Sequence, residues 1–127
     1  GDEIVIADRN FPSASTAADC VMPEVIRMPG MSATEVVMLI TELMPIDNFA
    51  DYGALRMEVD NAQDKQEEVH REVFDVLRKV APKGAELKSI ERQDFYAHAR
   101  GAFAVSSCSE DRPFGCFILR MGVVFPD

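Results

Sequence analysis

The 127-residue sequence has no tryptophan, only three cysteines and no long apolar run, and these absences narrow what the chain can be. The cysteines, Cys20, Cys108 and Cys116, are odd in number and fit neither a CxxC metal site nor a disulfide scaffold, which favours a reducing cytoplasm. No uncharged apolar run approaches the roughly 20 residues that a membrane-spanning helix needs, and no basic-then-apolar leader opens the sequence. We expect a soluble protein without a bound metal.

Basic residues are also scarce. Lysine and arginine total 13 against 22 aspartates and glutamates, so the formal charge is −9 at pH 7. A charge of this sign repels nucleic-acid phosphates and anionic lipid surfaces. The composition therefore argues against nucleic acid and membranes as partners.

The remaining composition describes one globular domain that spans residues 1–127, since 47% of the residues are hydrophobic and 28% are charged. A chain of this length buries roughly two-thirds of the surface that its unfolded form exposes. One hydrophobic core is therefore enough to fold it.

Strand-like and helix-like patterns alternate along the chain. Ser32 and Glu35 form a capping box ahead of apolar residues at helical spacing, and residues 54–59 alternate apolar and charged residues as a half-exposed strand does. The predicted helices cover residues 33–44, 66–80 and 92–100, and the predicted strands cover residues 3–7, 25–28, 54–59, 86–90, 102–106 and 117–119 with 123–125. This order predicts an α/β fold with a mostly parallel central sheet flanked by helices.

The sequence contains no glycine-rich phosphate loop, no HExxH, no GxSxG and no paired cysteine ligands. In parallel sheets, ligands collect at the carboxyl ends of the strands. Two loops of the predicted sheet qualify, residues 8–12 and residues 107–116.

Asp8 follows a buried strand directly. A carboxylate there can accept hydrogen bonds from sugar hydroxyls or take part in proton transfer. It can also cap the following loop through its own backbone, and its position alone favours capping.

Arg92 opens a predicted helix, where its guanidinium either offers donors to hydroxyl oxygens or is a solvated surface group. His98 lies six residues further on, so the two side chains should not face the same ligand. His70 falls in a charge-rich helix and is expected to be exposed.

The stretch from Arg112 to Cys116 joins the last two strands. Gly115 either lets a backbone amide approach a ligand closely or simply makes a turn. Cys116 is more typical of a packed residue than of a reactive one. Phe95 and Tyr96 have rings that can stack on a sugar, although core packing is the default for both.

Three segments in this order, GDEIVIADRNFP, ERQDFYAHARGAF and RPFGCFILRMGVV, resemble the RbsD/FucU family of sugar mutarotases over nearly the whole chain. The R-x-x-F-Y motif, which begins at Arg92, resembles the pattern of the L-fucose mutarotase branch. D-ribose pyranases have a histidine in that region.

The resemblance implies an α/β subunit that assembles into a homo-oligomeric ring, commonly a decamer. It also implies a monosaccharide, most simply fucose, bound near subunit boundaries without cofactor or metal, and interconversion of its α and β anomers through ring opening. Carried over by position, Asp8 would bind sugar and assist proton movement, Arg92 would anchor hydroxyls, and Phe114, Gly115 and Cys116 would line the substrate site.

The sequence departs from the family pattern in two places. The family's proton-transfer histidine stands in a Gly-His pair just ahead of Gly-Asp, and this sequence starts at Gly1, without the helix that precedes the motif in the family, so we expect a truncated chain. The tail has Phe114-Gly115-Cys116 where the family has Tyr-Gly-Asn. These departures keep open a non-catalytic sugar-binding or regulatory ring protein, a D-ribose pyranase-like activity, and a purely structural assembly module.

Overall fold

The structure, a computed structural model, describes residues 2–123. Six strands form one sheet in the order β2-β5-β1-β6-β3-β4, with four helices packed around it. In chain order the elements are β1 (Glu3–Ala7), α1 (Ser13–Ala17), β2 (Ile26–Met28), α2 (Ala33–Leu43), β3 (Ala54–Met57), α3 (Glu68–Val80), β4 (Leu87–Ile90), α4 (Arg92–Ala99), β5 (Ala104–Cys108) and β6 (Phe117–Arg120).

Five strands run parallel and β6 runs against both of its neighbours. β1 pairs in parallel with β5, with Val5 opposite Val105, and antiparallel with β6, with Val5 opposite Ile118. β3 pairs antiparallel with β6 and in parallel with β4. The prediction of an α/β fold with a mostly parallel sheet is confirmed.

Each face of the sheet carries its own apolar cluster because successive residues of a strand point to opposite sides. Val5 and Ala7 belong to the cluster under α4, which includes Phe95 and Ala99. Ile6 belongs to the other cluster, which α2 and α3 cover. β1 is therefore buried on both faces, as its unbroken apolar sequence predicts.

The helix boundaries follow the local signals. Ser32 caps α2 by accepting the Glu35 backbone N–H at 3.2 Å, and the Glu35 side chain accepts the Ser32 N–H at 3.1 Å. This capping box and the helix that it opens are confirmed. α3, α4 and β4 also lie within two residues of their predicted bounds.

Several boundaries differ from the prediction. α1 forms within a small, polar stretch that carries no helical periodicity, and β5 begins two residues later than predicted. Val123 is not in a strand, and the rest of the predicted strand 123–125 lies outside the described residues. Short elements such as these are set by tertiary packing more than by intrinsic propensity.

The prediction that β3 is half-exposed is wrong. Arg56 and Glu58 are 3% and 5% exposed, because β3 is an inner strand with α3 packed over it. Arg56 Nη2 donates to the Gln63 carbonyl at 2.7 Å, whereas Arg56 Nη1 is buried without a partner in the described part of the chain, and Glu58 accepts the Ser89 hydroxyl at 2.7 Å. Buried charge of this kind needs partners, which the alternating pattern alone does not reveal.

Within residues 2–123, no helix has the length and apolar character needed to cross a membrane. The three cysteines are free thiols.

Candidate functional site

One edge of the sheet collects the carboxyl ends of the five parallel strands. Asp8 follows β1, Met57 ends β3, α4 begins just after β4, and the loop 109–116 connects β5 to β6. At this edge lies a cavity of about 170 Å³. It is lined by Asp8, Asn10, Phe11, Met57, Arg92, Tyr96, Pro113, Phe114 and Cys116.

The size and lining of this cavity suit a small polar ligand. Sites for drug-sized molecules enclose roughly 300–1,000 Å³, so this cavity has room for a single small ring. Its lining combines a carboxylate, a guanidinium and aromatic rings. Such a set can bind hydroxyl groups on one side of a ligand and a flat apolar face on the other.

Asp8 is 8% exposed at the wall of the cavity. Its Oδ1 accepts the Asn10 backbone N–H at 3.1 Å, so the loop-capping interpretation is also correct. Burial raises the pKa of Asp8, against the opposing effect of hydrogen bonds from the Cys116 thiol and from the backbone of Asn10, Phe11 and Gly115. A carboxyl group with a raised pKa can carry a proton closer to neutral pH than an exposed aspartate does.

Arg92 is the first residue of α4, and the side chain of Glu91 caps that helix by accepting the Gln93 N–H. The Arg92 guanidinium lines the cavity and has no ion pair or hydrogen bond to any residue between 2 and 123. Its donors are therefore available to a ligand. One turn further on, Tyr96 lines the same cavity, with its ring edge-on to Phe11 at 5.5 Å between centroids.

Phe95, which precedes Tyr96 in the sequence, does not line the cavity. Phe95 is fully buried in the core and packs edge-on against Phe11 at 5.8 Å, so its default interpretation as a core residue is correct. His98 also faces elsewhere, as the six-residue spacing from Arg92 predicts. Its Nε2 lies 2.8 Å from the Tyr52 hydroxyl and 2.9 Å from Glu3 Oε1, at the opposite end of β1.

The loop 109–116 is anchored by Arg112. Its guanidinium donates to both carboxylate oxygens of Glu72 on α3, at 2.7 and 3.0 Å, and to Glu110 at 2.9 Å. Glu110 in turn accepts the N–H of Ala33, the first residue of α2, at 3.1 Å. Arg112 lowers the pKa of both carboxyl groups. The loop is thus tied to the N-terminal ends of two helices.

Phe114 lies at the tip of this anchored loop, with a left-handed φ of 59°. Phe114 is one of the residues that line the cavity. Gly115 is not a lining residue: a Cβ there would lie 2.8 Å from Glu110 Cγ and 3.7 Å from Asp8 Cβ. Glycine is needed at position 115 because the loop packs tightly, and the predicted contact of Gly115 with substrate stays a prediction.

Cys116 is buried beside Asp8, and burial raises the pKa of its thiol. The negative charge of the neighbouring Asp8 raises the pKa of this thiol further. A thiol held protonated in this way is a weak nucleophile. The expectation that Cys116 packs rather than reacts agrees with this environment.

The expectation that His70 is exposed is wrong, since the ring is fully buried. Its Nδ1 accepts the Glu67 N–H at 3.0 Å and its Nε2 lies 2.7 Å from the Phe114 carbonyl oxygen. Burial lowers the pKa of His70. His70 follows Val69 on the face of α3 that packs against the sheet. Its neighbours in the sequence are charged, so the local pattern did not predict that it is buried.

The structure therefore brings Asp8, Arg92, Phe114 and Cys116 to one cavity and leaves Gly115 behind its wall. The pattern did not single out the other lining residues, Asn10, Phe11, Met57 and Pro113. Three of these lie in the two loops that strand ends indicated, so position in a loop was the available signal. Met57 gave none, because it reads as an ordinary strand residue.

A second cavity, of about 590 Å³, shares Asp8 and Phe11 with the first and extends toward Arg27 and Cys108. Three small residues of α1, Ser13, Ala14 and Ser15, form part of its lining. Within residues 2–123, no three His, Cys, Asp or Glu side chains are grouped so as to hold a metal ion.

Comparison with known proteins places these features in context. The sequence model of the RbsD / FucU transport protein family matches residues 1–124. The chain is 38% identical to fucose mutarotase of Homo sapiens, over 98% of this chain and 80% of the relative. It is 32% identical to L-fucose mutarotase of Haemophilus influenzae strain 86-028NP, over 97% and 82% of the two chains. The crystal structure of a fucose mutarotase from Streptococcus pneumoniae in complex with L-fucose superposes with a TM-score of 0.84 at 30% identity, covering 98% of this chain and 85% of that one.

Proposed function

The chain belongs to the RbsD / FucU family, and from that membership we propose that it is a mutarotase that interconverts the α and β anomers of L-fucose. Relatives named fucose mutarotase cover nearly the whole chain at 31–38% identity, and one structural neighbour carries L-fucose. The observation that carries the proposal is the convergence of Asp8, Arg92 and Tyr96 on one small cavity. Asp8 is far from the other two residues in the sequence, and together the three supply the carboxylate, the guanidinium and the aromatic ring that can bind a sugar.

Mutarotation opens and recloses the sugar ring. A base removes the proton of the anomeric hydroxyl while an acid protonates the ring oxygen, and the roles exchange on closure. Asp8 fills one of these two roles, because its buried carboxyl has a raised pKa and accepts or returns a proton readily. The Asn10 N–H fixes the carboxylate in place as it does so.

Arg92 and the aromatic residues bind the sugar in this mechanism. The free guanidinium of Arg92 donates to hydroxyl oxygens in a fixed fork. Tyr96 and Phe114 supply flat apolar surfaces for the carbon face of the ring. These contacts orient the anomeric carbon toward Asp8 without any cofactor.

The cavity wall at Phe114 and Cys116 favours a second candidate, a protein that binds sugar without catalysing its mutarotation. Neither a phenyl ring nor a buried thiol donates strongly to a sugar hydroxyl. Losing two hydrogen bonds of about 0.5–1.5 kcal/mol each would weaken sugar binding by tens of fold. Binding without acceleration of exchange is the outcome that this candidate predicts.

The proposal extends to assembly and location. We place the protein in the cytoplasm as a homo-oligomeric ring, a decamer by the resemblance to its family. Exposed apolar residues on α2, Met38, Leu39 and Leu43, support assembly because they leave an apolar surface for another subunit to cover. Three free thiols agree with a reducing compartment.

The decisive experiment is saturation-transfer NMR on the anomeric protons of L-fucose, with D-ribose and D-galactose alongside. The intact protein should accelerate exchange of fucose, and Asp8→Asn should slow it by about 10²- to 10⁴-fold. The exposed Asp19→Asn serves as the matched control and should leave exchange unchanged. Unaltered exchange for every sugar, with binding by calorimetry, would establish the non-catalytic candidate instead.

A further inference from the structure

His70 lies beneath the candidate site with both of its ring nitrogens engaged. Nδ1 accepts the Glu67 backbone N–H at 3.0 Å, so this nitrogen carries no proton. The neutral ring must then carry its proton on Nε2, which donates to the Phe114 carbonyl at 2.7 Å. The ring also packs edge-on against Phe117, with 5.8 Å between centroids.

The acceptor of this bond is the residue with the least favourable backbone conformation in the site loop. Phe114 has a φ of 59°, a region that residues with a Cβ adopt rarely. A strained conformation persists only where surrounding contacts hold it. The Phe114 carbonyl has one such contact from outside the loop, the buried imidazole of His70.

We infer that His70 is a positioning residue for sugar binding: its Nε2–H holds the Phe114 peptide in the left-handed conformation that places the Phe114 ring against the cavity. This inference rests on the proposed function for the identity of the ligand. Asp8 is held separately by the Asn10 N–H. Loss of the His70 bond should therefore weaken fucose binding and leave the chemical step largely intact.

The neighbours of His70 keep it neutral. Arg56 approaches from β3, Arg71 lies on the same helix as His70, and Glu67 is the N-cap of that helix. Desolvation and the arginines lower its pKa, so the ring keeps a single donor at neutral pH. The hold on Phe114 thus does not depend on a charge.

Three variants separate positioning from general stability. His70→Phe keeps a ring against Phe117 and removes both hydrogen bonds. His70→Gln keeps a donor near the position of Nε2, because the glutamine amide nitrogen extends about as far from the backbone as Nε2 does. Val73→Ala, at a fully buried position on the same helix, is the control for a loss of core packing.

The first measurement needs no ligand: hydrogen exchange of the segment 112–116, followed by mass spectrometry. His70→Phe should raise the exchange rate roughly five- to tenfold, the effect of one lost hydrogen bond, and His70→Gln should restore it. Val73→Ala should leave that segment as in the unmodified protein. Unchanged exchange in His70→Phe, or equal acceleration in Val73→Ala, overturns the inference.

The second measurement is the KM and kcat for L-fucose anomer exchange, with the dissociation constant from calorimetry. His70→Phe should raise KM roughly five- to tenfold with kcat changed by no more than about twofold, and His70→Gln should recover most of the loss. A fall in kcat with unchanged KM overturns the inference. If the unmodified protein neither binds fucose nor accelerates the exchange of its anomers, the proposed function fails. The hydrogen-exchange measurement on residues 112–116 still decides whether His70 holds the loop.

Should His70→Phe fail to fold, His70→Asn replaces it. The asparagine amide is too short to reach the Phe114 carbonyl but keeps a polar group near the Glu67 N–H. It should then behave as the loss variant against His70→Gln. Identical loop exchange in the Asn and Gln variants contradicts the inference.

Discussion

In the proposed mechanism, Asp8 combines a structural and a chemical role in one carboxylate. It caps the turn after β1 through the Asn10 N–H, and it lines the cavity with its pKa raised by burial. Desolvation of a charge costs free energy unless partners offset it, and here the hydrogen bonds offset that cost in part. Function at this residue is therefore expected to oppose stability.

This opposition predicts the pH dependence of the Asp8→Asn variant. Because the folded-state pKa of Asp8 lies above the ordinary value of 3.8, folding favours the protonated form. Its favourable contribution is complete below that value and is lost as the pH rises through the raised pKa. Asp8→Asn should thus have a larger free energy of unfolding than the unmodified protein at pH 7, and the difference should vanish near pH 3.

Urea denaturation at a series of pH values measures this difference. Asp19→Asn, at an exposed position, provides the control and should show no such trend. If the stability of Asp8→Asn relative to the unmodified protein is lower at pH 7 than at pH 3, the hydrogen bonds to Asp8 outweigh the cost of burying it.

Arg92 is expected to act in binding rather than in proton transfer. Arg92→Ala should raise the KM for L-fucose by about tenfold, since it removes charged donors that nothing else in the described chain engages, and should change kcat less. Anomer-exchange kinetics over a range of fucose concentrations will measure both constants.

Arg100→Ala is the matched control, because Arg100 is an exposed arginine at the other end of α4, 3.8 Å from Asp19. It should leave both constants unchanged. If Arg92→Ala raises KM and lowers kcat by the same factor, Arg92 takes a direct part in the chemical step.

At the scale of elements, the loop between β5 and β6 owes its shape to the helices beneath it. Arg112 connects Glu110 in the loop to Glu72 on α3, and Glu110 accepts the first N–H of α2. A carboxylate at a helix N-terminus also interacts favourably with the helix dipole. The loop that carries Phe114 is therefore connected to both helices.

Removing the central cation should loosen this arrangement. Arg112→Met leaves Glu110 buried without its charged partner, and such losses cost about 3–5 kcal/mol for a fully buried pair. Because Arg112 and Glu72 are about one-third exposed, we expect roughly 2 kcal/mol here. Urea denaturation will give the change in the free energy of unfolding.

The exposed pair of Arg78 with Asp75, at 3.0 Å, supplies the control for an ordinary surface ion pair. Arg78→Met should change the free energy of unfolding by less than about 1 kcal/mol. Equal effects of the two substitutions would mean that the Arg112 cluster is only a surface feature.

At the scale of the whole molecule, an apolar surface is exposed beside one edge of the sheet. β2 is an edge strand, and beside it an apolar cavity of about 210 Å³ is lined by Ile4, Ile26, Met28, Ile40, Leu43, Met44 and Ser106. Leu43 itself is 82% exposed. An apolar surface next to an open strand edge is typical of a subunit interface.

If this surface holds the proposed ring together, a charge placed within it should dissociate the assembly. Leu43→Glu should shift the mass measured by light scattering from that of the ring to that of a smaller species. Its neighbour Glu42→Ala, which puts no charge into the apolar surface, should keep the mass of the unmodified protein. A ring that survives Leu43→Glu would place the interface elsewhere.

Most of the elements, though not the short helix α1, and the edge of the sheet where a site belongs could be predicted from the sequence. Local signals act over a few residues, so the capping box at Ser32, the apolar strand Glu3–Ala7 and the alternation of strands and helices were all readable. The resemblance pointed to Asp8 and Arg92 before their positions were known. It could not say that Tyr96 and Met57 would share their cavity.

Tertiary structure alone decided which polar groups are buried and what they touch. Arg56 and His70 stand among charged residues, and only the packing of α3 against the sheet removes them from water. The bond from His70 to Phe114 joins positions far apart in the chain, as does the cluster around Arg112. Burial and long-range partners depend on how elements pack against one another, and no local pattern of residue types encodes that arrangement.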